Sequence, residues 1–304
     1  MANPQQHQTV QAGHPTQAAR LRRPSPLRSL RLGDTTVTYV PDGLVLLPAR
    51  GWLRDSTEEV WAAHPEYLDE TGNLVASIGG LLVRRDDRAL LIDAGFGPQS
   101  APANPSVPHG PIHGGALLDN LAALGVRPEQ IEAVAFTHLH TDHIGWAWHP
   151  APGSDQPAFT NATYLFSEPE WTQRHLAKDT PPQALAALAP RVRTTTDGEE
   201  IFPGVRVLFT EGHTPGHATY VISSGGQRLI AFGDAMHTSL QIDHPEWSAA
   251  PDHDREQSAE SRRRLVAELA QPNTIGFGVH FADVVFGRVQ PDGTGPAWRP
   301  VDEA

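Results

Sequence analysis

Residues 137–145 read Thr-His-Leu-His-Thr-Asp-His-Ile-Gly, so His138, His140, Asp142 and His143 fall within six positions, directly after the apolar run 131–136. On an extended strand end alternate side chains point the same way, so His138 and His140 can share one cation. Asp142 and His143 fall past the strand, where the chain turns, and can address a second cation on the other side. Imidazole and carboxylate suit divalent transition metals, and no thiol competes because the chain has no cysteine. The spacing points to a two-metal centre.

Three later stretches add candidates of the same kind. Asp234 follows the apolar run 228–232, which places its carboxylate at a strand end, and two carboxyl oxygens can serve two cations. His217 closes the Gly- and Pro-rich turn 212–217 after the run 205–209, a turn type that sets a side chain at a strand end without helical competition. His280 ends the run 274–279. Four strands thus deliver seven donors to one edge: His138, His140, Asp142, His143, His217, Asp234 and His280.

In this order the motifs resemble those of the metallo-β-lactamase fold superfamily, over residues 34–290. The resemblance implies an α/β protein built as an αβ/βα four-layer sandwich. It puts His138, His140 and His217 on one ion and Asp142, His143 and His280 on the other, with Asp234 between them. The two ions are expected to be zinc, with iron, manganese or cobalt as alternatives. Paired cations lower the pKa of water from about 15.7 toward about 7, so a hydroxide shared between them becomes a nucleophile, while the ions polarise an ester or phosphoryl oxygen. Hydrolysis is the expected reaction, and no Gly-x-Ser-x-Gly elbow or phosphate-binding loop competes for the assignment.

Asp142 and His237 are the candidate catalytic residues. In the quorum-quenching N-acyl-homoserine-lactone hydrolases of the superfamily a tyrosine commonly occupies the place of His237. Here the imidazole either donates to the substrate oxygen or merely supports the site. The stretch 233–247 also resembles the methyl-parathion-hydrolase-like branch. The expected substrate is therefore a small lactone or carboxyl ester, with an organophosphate or aryl ester second. A glutathione thioester is third, for which Arg262, Arg263 and Arg264 could supply the cations. Trp146, Trp148 and Phe281 are candidate pocket walls or else core residues.

The elements that must hold these groups can be read coarsely. Alternation and apolar runs predict strands near 35–40, 75–84, 88–93, 131–136, 162–166, 205–210, 218–223, 228–233, 275–279 and 284–289. Helices are expected at 56–68, opened by a Ser56/Glu59 capping box, and at 114–124, 168–177 and 255–270. Asp93, at the start of a glycine-rich turn, is a candidate to orient a metal-bound histidine. With 304 residues and 39% hydrophobic content, one domain over 34–304 can bury a large core.

Residues 1–33 carry Gln, Pro and five arginines before the first acid, Asp34, and read as a flexible N-terminal arm. They lack the apolar stretch of a secretory signal, so a cytoplasmic location is expected. A formal charge of −12 argues against a nucleic-acid partner, and no apolar run is long enough to span a membrane. Relatives of this kind are often dimers, which makes a homodimer an expectation from the resemblance.

Overall fold

The computed structural model describes residues 15–293 and 295–302. Among them two sheets face each other. The first has nine strands, in the order Ser100–Ala101, Ile112–His113, Thr35–Pro48, Asn73–Arg85, Arg88–Ile92, Ala133–Ala135, Thr163–Ser167 and Val192–Thr195, with Arg28–Leu32 also paired to Thr35–Pro48. The second runs Glu200–Phe202, Val205–Phe209, Ala218–Ser224, Gln227–Ala231, Thr274–Phe277, Phe286–Pro291 and Pro296–Pro300.

The inner faces of both sheets, among them Val37, Leu81, Leu90, Val205, Tyr220 and Ile275, merge into one apolar core. The outer face of the first sheet packs under helices Leu117–Ala123, Thr141–Trp148 and Pro182–Leu188. Helix Arg255–Leu269 covers the second, through Leu265 and Leu269 against Ile230 and Phe232. Central strands such as Asn73–Arg85 and Arg88–Ile92 are buried on both faces, so helix layers must lie outside the sheets, and the result is the four-layer sandwich expected from the sequence. No helix among the described residues is long and apolar enough to cross a membrane.

Direction matters more than order for the site. Arg88–Ile92, Ala133–Ala135 and Thr163–Ser167 run parallel, as do Gln227–Ala231 and Thr274–Phe277. Val205–Phe209 points the same way as Gln227–Ala231, because each is antiparallel to the strand between them. The carboxyl ends of all six strands therefore open onto one edge, where loops can converge on a ligand.

Two expectations about the elements change. The segment 15–33 is not an arm: it forms a short helix, Gln17–Arg20, then the strand Arg28–Leu32 paired to Thr35–Pro48. It is pinned because the buried carboxylate of Asp283 takes hydrogen bonds from Arg23 and Arg28, and Arg20 donates to the Asp283 carbonyl. Residues 1–14 lie outside the described residues. The helix expected at 56–68 spans only Glu58–Ala63, followed by a helical turn at Pro65–Tyr67. Its N-cap is Thr57 because the Ser56 hydroxyl donates to the Leu53 carbonyl and accepts from the Trp61 indole, leaving it unavailable for capping.

Candidate metal centre

His138 and His140 lie in the loop after Ala133–Ala135, and Asp142 and His143 in the first turn of the following helix. That helix starts so close to the strand because Gly145 lets its backbone press against residues 96–97, where a Cβ would collide with Phe96. Its register is fixed by backbone bonds from Ala94 N–H to the His143 carbonyl and from Gly145 N–H to the Gly95 carbonyl. Asp234 sits in the turn directly after Gln227–Ala231, and His280 three residues beyond Thr274–Phe277.

The donor atoms form two groups. In the first, His138 Nε2 is 2.8 Å from His140 Nδ1, which is 3.0 Å from His213 Nε2. Asp234 Oδ2 approaches them, 3.4 Å from His213 Nε2 and 3.7 Å from His138 Nε2. In the second, Asp142 Oδ2 lies 3.8 Å from His143 Nε2 and 3.7 Å from His280 Nε2. Asp234 Oδ1 is 3.0 Å from both of these imidazole nitrogens. One carboxylate thus faces each group with a different oxygen.

Several features fit this cluster to cations. His143 Nε2 and Asp234 Oδ1 are buried and lack a hydrogen bond despite their separation of 3.0 Å, so they point at a common place rather than at each other. Each histidine of the second group is fixed from behind: His143 Nδ1 is 2.9 Å from Asp93 Oδ2, and His280 Nδ1 donates to the Ser77 carbonyl at 2.8 Å. A donated Nδ1–H leaves Nε2 as the lone-pair nitrogen a metal needs. Burial disfavours a charged His143, His213 or His280, yet the carboxylates around them override it and push each pKa up, His213 to about 9. The cluster favours positive charge, which a divalent ion would supply in place of protons.

His217 is the correction to the expected ligand set. Its Nε2 accepts from the Asp234 backbone N–H at 3.1 Å and its Nδ1 meets the Thr210 hydroxyl at 2.9 Å, so neither nitrogen is free. Burial pushes its pKa down to about 3, in keeping with a neutral acceptor. The other histidine of the same turn, His213, occupies the donor position. Gly212 explains the choice: at a φ of +130°, with no room for a Cβ against Ser258, it turns His213 toward the strand edge. Asp93 reaches His143 from behind, as expected, holding a left-handed φ of 61° while accepting from the Thr137 N–H and hydroxyl.

A cavity of about 500 Å³ opens over the donors. One side is apolar, from Val45, Leu47, Trp52, Val107 and Ile112, and His109 and His253 also line it. The expected walls are elsewhere. Trp146 faces the core, 1% exposed, with its indole N–H donated to Asp42 Oδ1 at 2.8 Å. Trp148 packs half-buried on the same cluster against His149, and Phe281 is buried against Phe232 and Trp298. On the short helix Thr141–Trp148, Trp146 lies one turn from His143, on its sheet-facing side. His237 does line the cavity; its Nε2 is 3.1 Å from Asp234 Oδ2, its ring meets Trp52 edge-on, and burial pushes its pKa down to about 4.

Two residues escaped sequence reasoning. Glu170, buried on the helix after Thr163–Ser167, accepts from the Leu139 and Gly216 N–H groups and the Thr214 hydroxyl, tying the two histidine loops together. Asp252 receives the His213 Nδ1–H at 2.9 Å. Neither carries a local signal, since both partners lie far away in the chain.

Comparison with known proteins gives the family and the fold. A family profile described as the metallo-β-lactamase superfamily matches residues 81–273. An N-acyl homoserine lactonase of Bacillus cereus is 24% identical over 212 residues, 66% of this chain and 79% of that protein. The dizinc quorum-quenching lactonase AidC, solved with the product N-hexanoyl-L-homoserine, superposes with a TM-score of 0.78 at 21% identity, covering 91% of this chain and 98% of AidC. The hydrolase AbOPH of the β-lactamase superfamily gives 0.74 at 26% identity, over 92% and 99%.

Proposed function

We propose that this chain, which belongs to the metallo-β-lactamase superfamily and is a metal-dependent hydrolase, holds two divalent ions and opens a lactone or cleaves a carboxyl ester of the N-acyl-homoserine-lactone kind. The observation that carries the reading is the pair of donor groups sharing Asp234: His138, His140 and His213 on one side, Asp142, His143 and His280 on the other. His213 replaces His217 in the set. Two bound ions supply a nucleophilic water at neutral pH and stabilise negative charge on the substrate oxygens.

The chain's own groups do the rest. Asp93, the Ser77 carbonyl and Asp252 hold the rings of His143, His280 and His213 at their far nitrogens. Asp142, partly exposed at the cavity floor, keeps its carboxylate ionised: burial opposes this, but His143 and His280 outweigh it and lower its pKa. His237, neutral and next to Asp234 Oδ2, is the imidazole placed to donate to the substrate oxygen once Asp234 is committed to the ions. The apolar wall from Val45 to Ile112 takes the acyl part and excludes water.

The aromatic edge of Trp52 beside His237 favours an aryl ester or organophosphate as the second reading. A glutathione thioester is the third reading, because Arg262 is wholly buried and neither Arg263 nor Arg264 lines the cavity. The test compares an acyl-homoserine lactone, a p-nitrophenyl ester and a phosphotriester on one zinc-loaded preparation, with metal counted per chain. The expected result is about two ions and highest kcat/KM on the lactone; a chain with two ions that turns over only the phosphotriester reverses the ranking.

A further inference from the structure

Helix Arg255–Leu269 carries three consecutive arginines, of which Arg263 and Arg264 are exposed and Arg262 has no exposure at all. A guanidinium stays charged, has five N–H donors and accepts nothing, so burying one is costly unless its donors are met. Each of its three nitrogens has a partner. Nε donates to the Pro245 carbonyl at 2.7 Å, Nη2 to the Ser248 hydroxyl at 3.2 Å, and Nη1 to Ser258 Oγ at 2.7 Å and Asp252 Oδ2 at 3.2 Å. Nη1 also reaches the carbonyl of Ala235, the residue after Asp234, at 3.4 Å. The other oxygen of Asp252, itself a fully buried side chain, accepts from His213 Nδ1 at 2.9 Å.

A buried ion pair of this kind contributes little net stability compared with apolar residues of the same shape, so stability alone does not account for it. What it does is geometric. We propose that Arg262 and Asp252 are positioning residues: Asp252 fixes the His213 ring so that Nε2 stays aimed at the first donor group, and Arg262 locks Asp252 while bracing the Asp234 turn through Ala235. One side chain on the outer helix thereby sets two of the loops that meet at the ions. The inference rests on the two-ion reading above.

The experiment is a titration of the metal-free full chain with Co²⁺, following visible d–d absorption, for wild type, Asp252→Asn, Arg262→Met, the double variant and the exposed control Arg263→Gln. Wild type takes up two ions; failure at this first arm removes the two-ion reading and the inference with it. Given two ions, Asp252→Asn and Arg262→Met each weaken the ion at His213 by about 10–100-fold and change its spectrum, the second ion being touched only in Arg262→Met, through the Asp234 turn. The double variant loses less than the product of the two single losses, because both act in part through His213, whereas unrelated sites would multiply. Arg263→Gln matches wild type. Unchanged affinity and spectrum in Asp252→Asn, or multiplicative losses in the double variant, overturn the proposal. Should Asp252→Asn fail to fold, Arg262→Lys, which keeps the charge but not the planar fork, is read by the same criteria.

Discussion

Replacing the two histidines of residues 212–217 one at a time separates ligand from scaffold. His213→Ala deletes a donor 3.0 Å from His140 Nδ1 and 3.4 Å from Asp234 Oδ2. The ion held there loses one of three imidazoles, and turnover should fall on the order of 10²–10³-fold with the fold retained. His217→Ala has a different cost. It strands the buried Asp234 N–H, worth about 1–3 kcal/mol, whereas the Thr210 hydroxyl keeps Thr219 as a partner at 2.9 Å. Adding a cavity term of similar size for a wholly buried ring gives roughly 2–6 kcal/mol. His217→Gln, whose amide oxygen reaches about as far as Nε2, should recover much of that. The assay is metal per chain by mass spectrometry after zinc loading and desalting, beside the urea midpoint of each variant. Expected values are about one ion for His213→Ala and about two, with a lowered midpoint, for His217→Ala. The reverse pattern, with His217→Ala losing an ion at unchanged stability and His213→Ala keeping two, would refute the assignment.

Chelation should unfold the protein more easily: at a free zinc concentration 100 times Kd each site adds about 2.7 kcal/mol, which a thermal melt with and without chelator detects. Asp93→Asn removes the charge behind His143 Nδ1 and should weaken metal binding about 10–100-fold in a competition titration. Trp52→Ala should raise KM for the acyl substrate, whereas Trp146→Phe, which frees Asp42 of one donor, should lower the denaturation midpoint and leave KM unchanged. His237→Ala should lower kcat by about 10²-fold without altering metal content, and an unaltered kcat removes its proposed role.

Much of the site was legible because its residues announce themselves locally. A dense His/Asp run after an apolar strand, and single donors at three other strand ends, are written in adjacent positions. What failed were distinctions that only backbone geometry makes. His213 and His217 share one turn, and which faces the edge depends on the left-handed Gly212 and its contact with Ser258, 46 residues on. Trp146 and Trp148 look like pocket walls next to the motif, but the helix begun at Thr141 rotates Trp146 into the core. The arginines before Asp34 suggest a loose arm because the partner of Arg20, Arg23 and Arg28, Asp283, is invisible until the fold closes.

That last contact also orders events in time. Ser25 donates its N–H to Ser77 Oγ, whose hydrogen goes to the carbonyl of Ala282, and the Ser77 carbonyl holds His280. Arg28 meets Asp283 across 255 positions of sequence. At a synthesis rate of about 5–20 residues per second, some ~13–50 s separate their emergence. The segment around Ser25 and Arg28 therefore waits for the 255 residues up to Asp283 before it can seat, and the His280 side of the metal edge is finished only then.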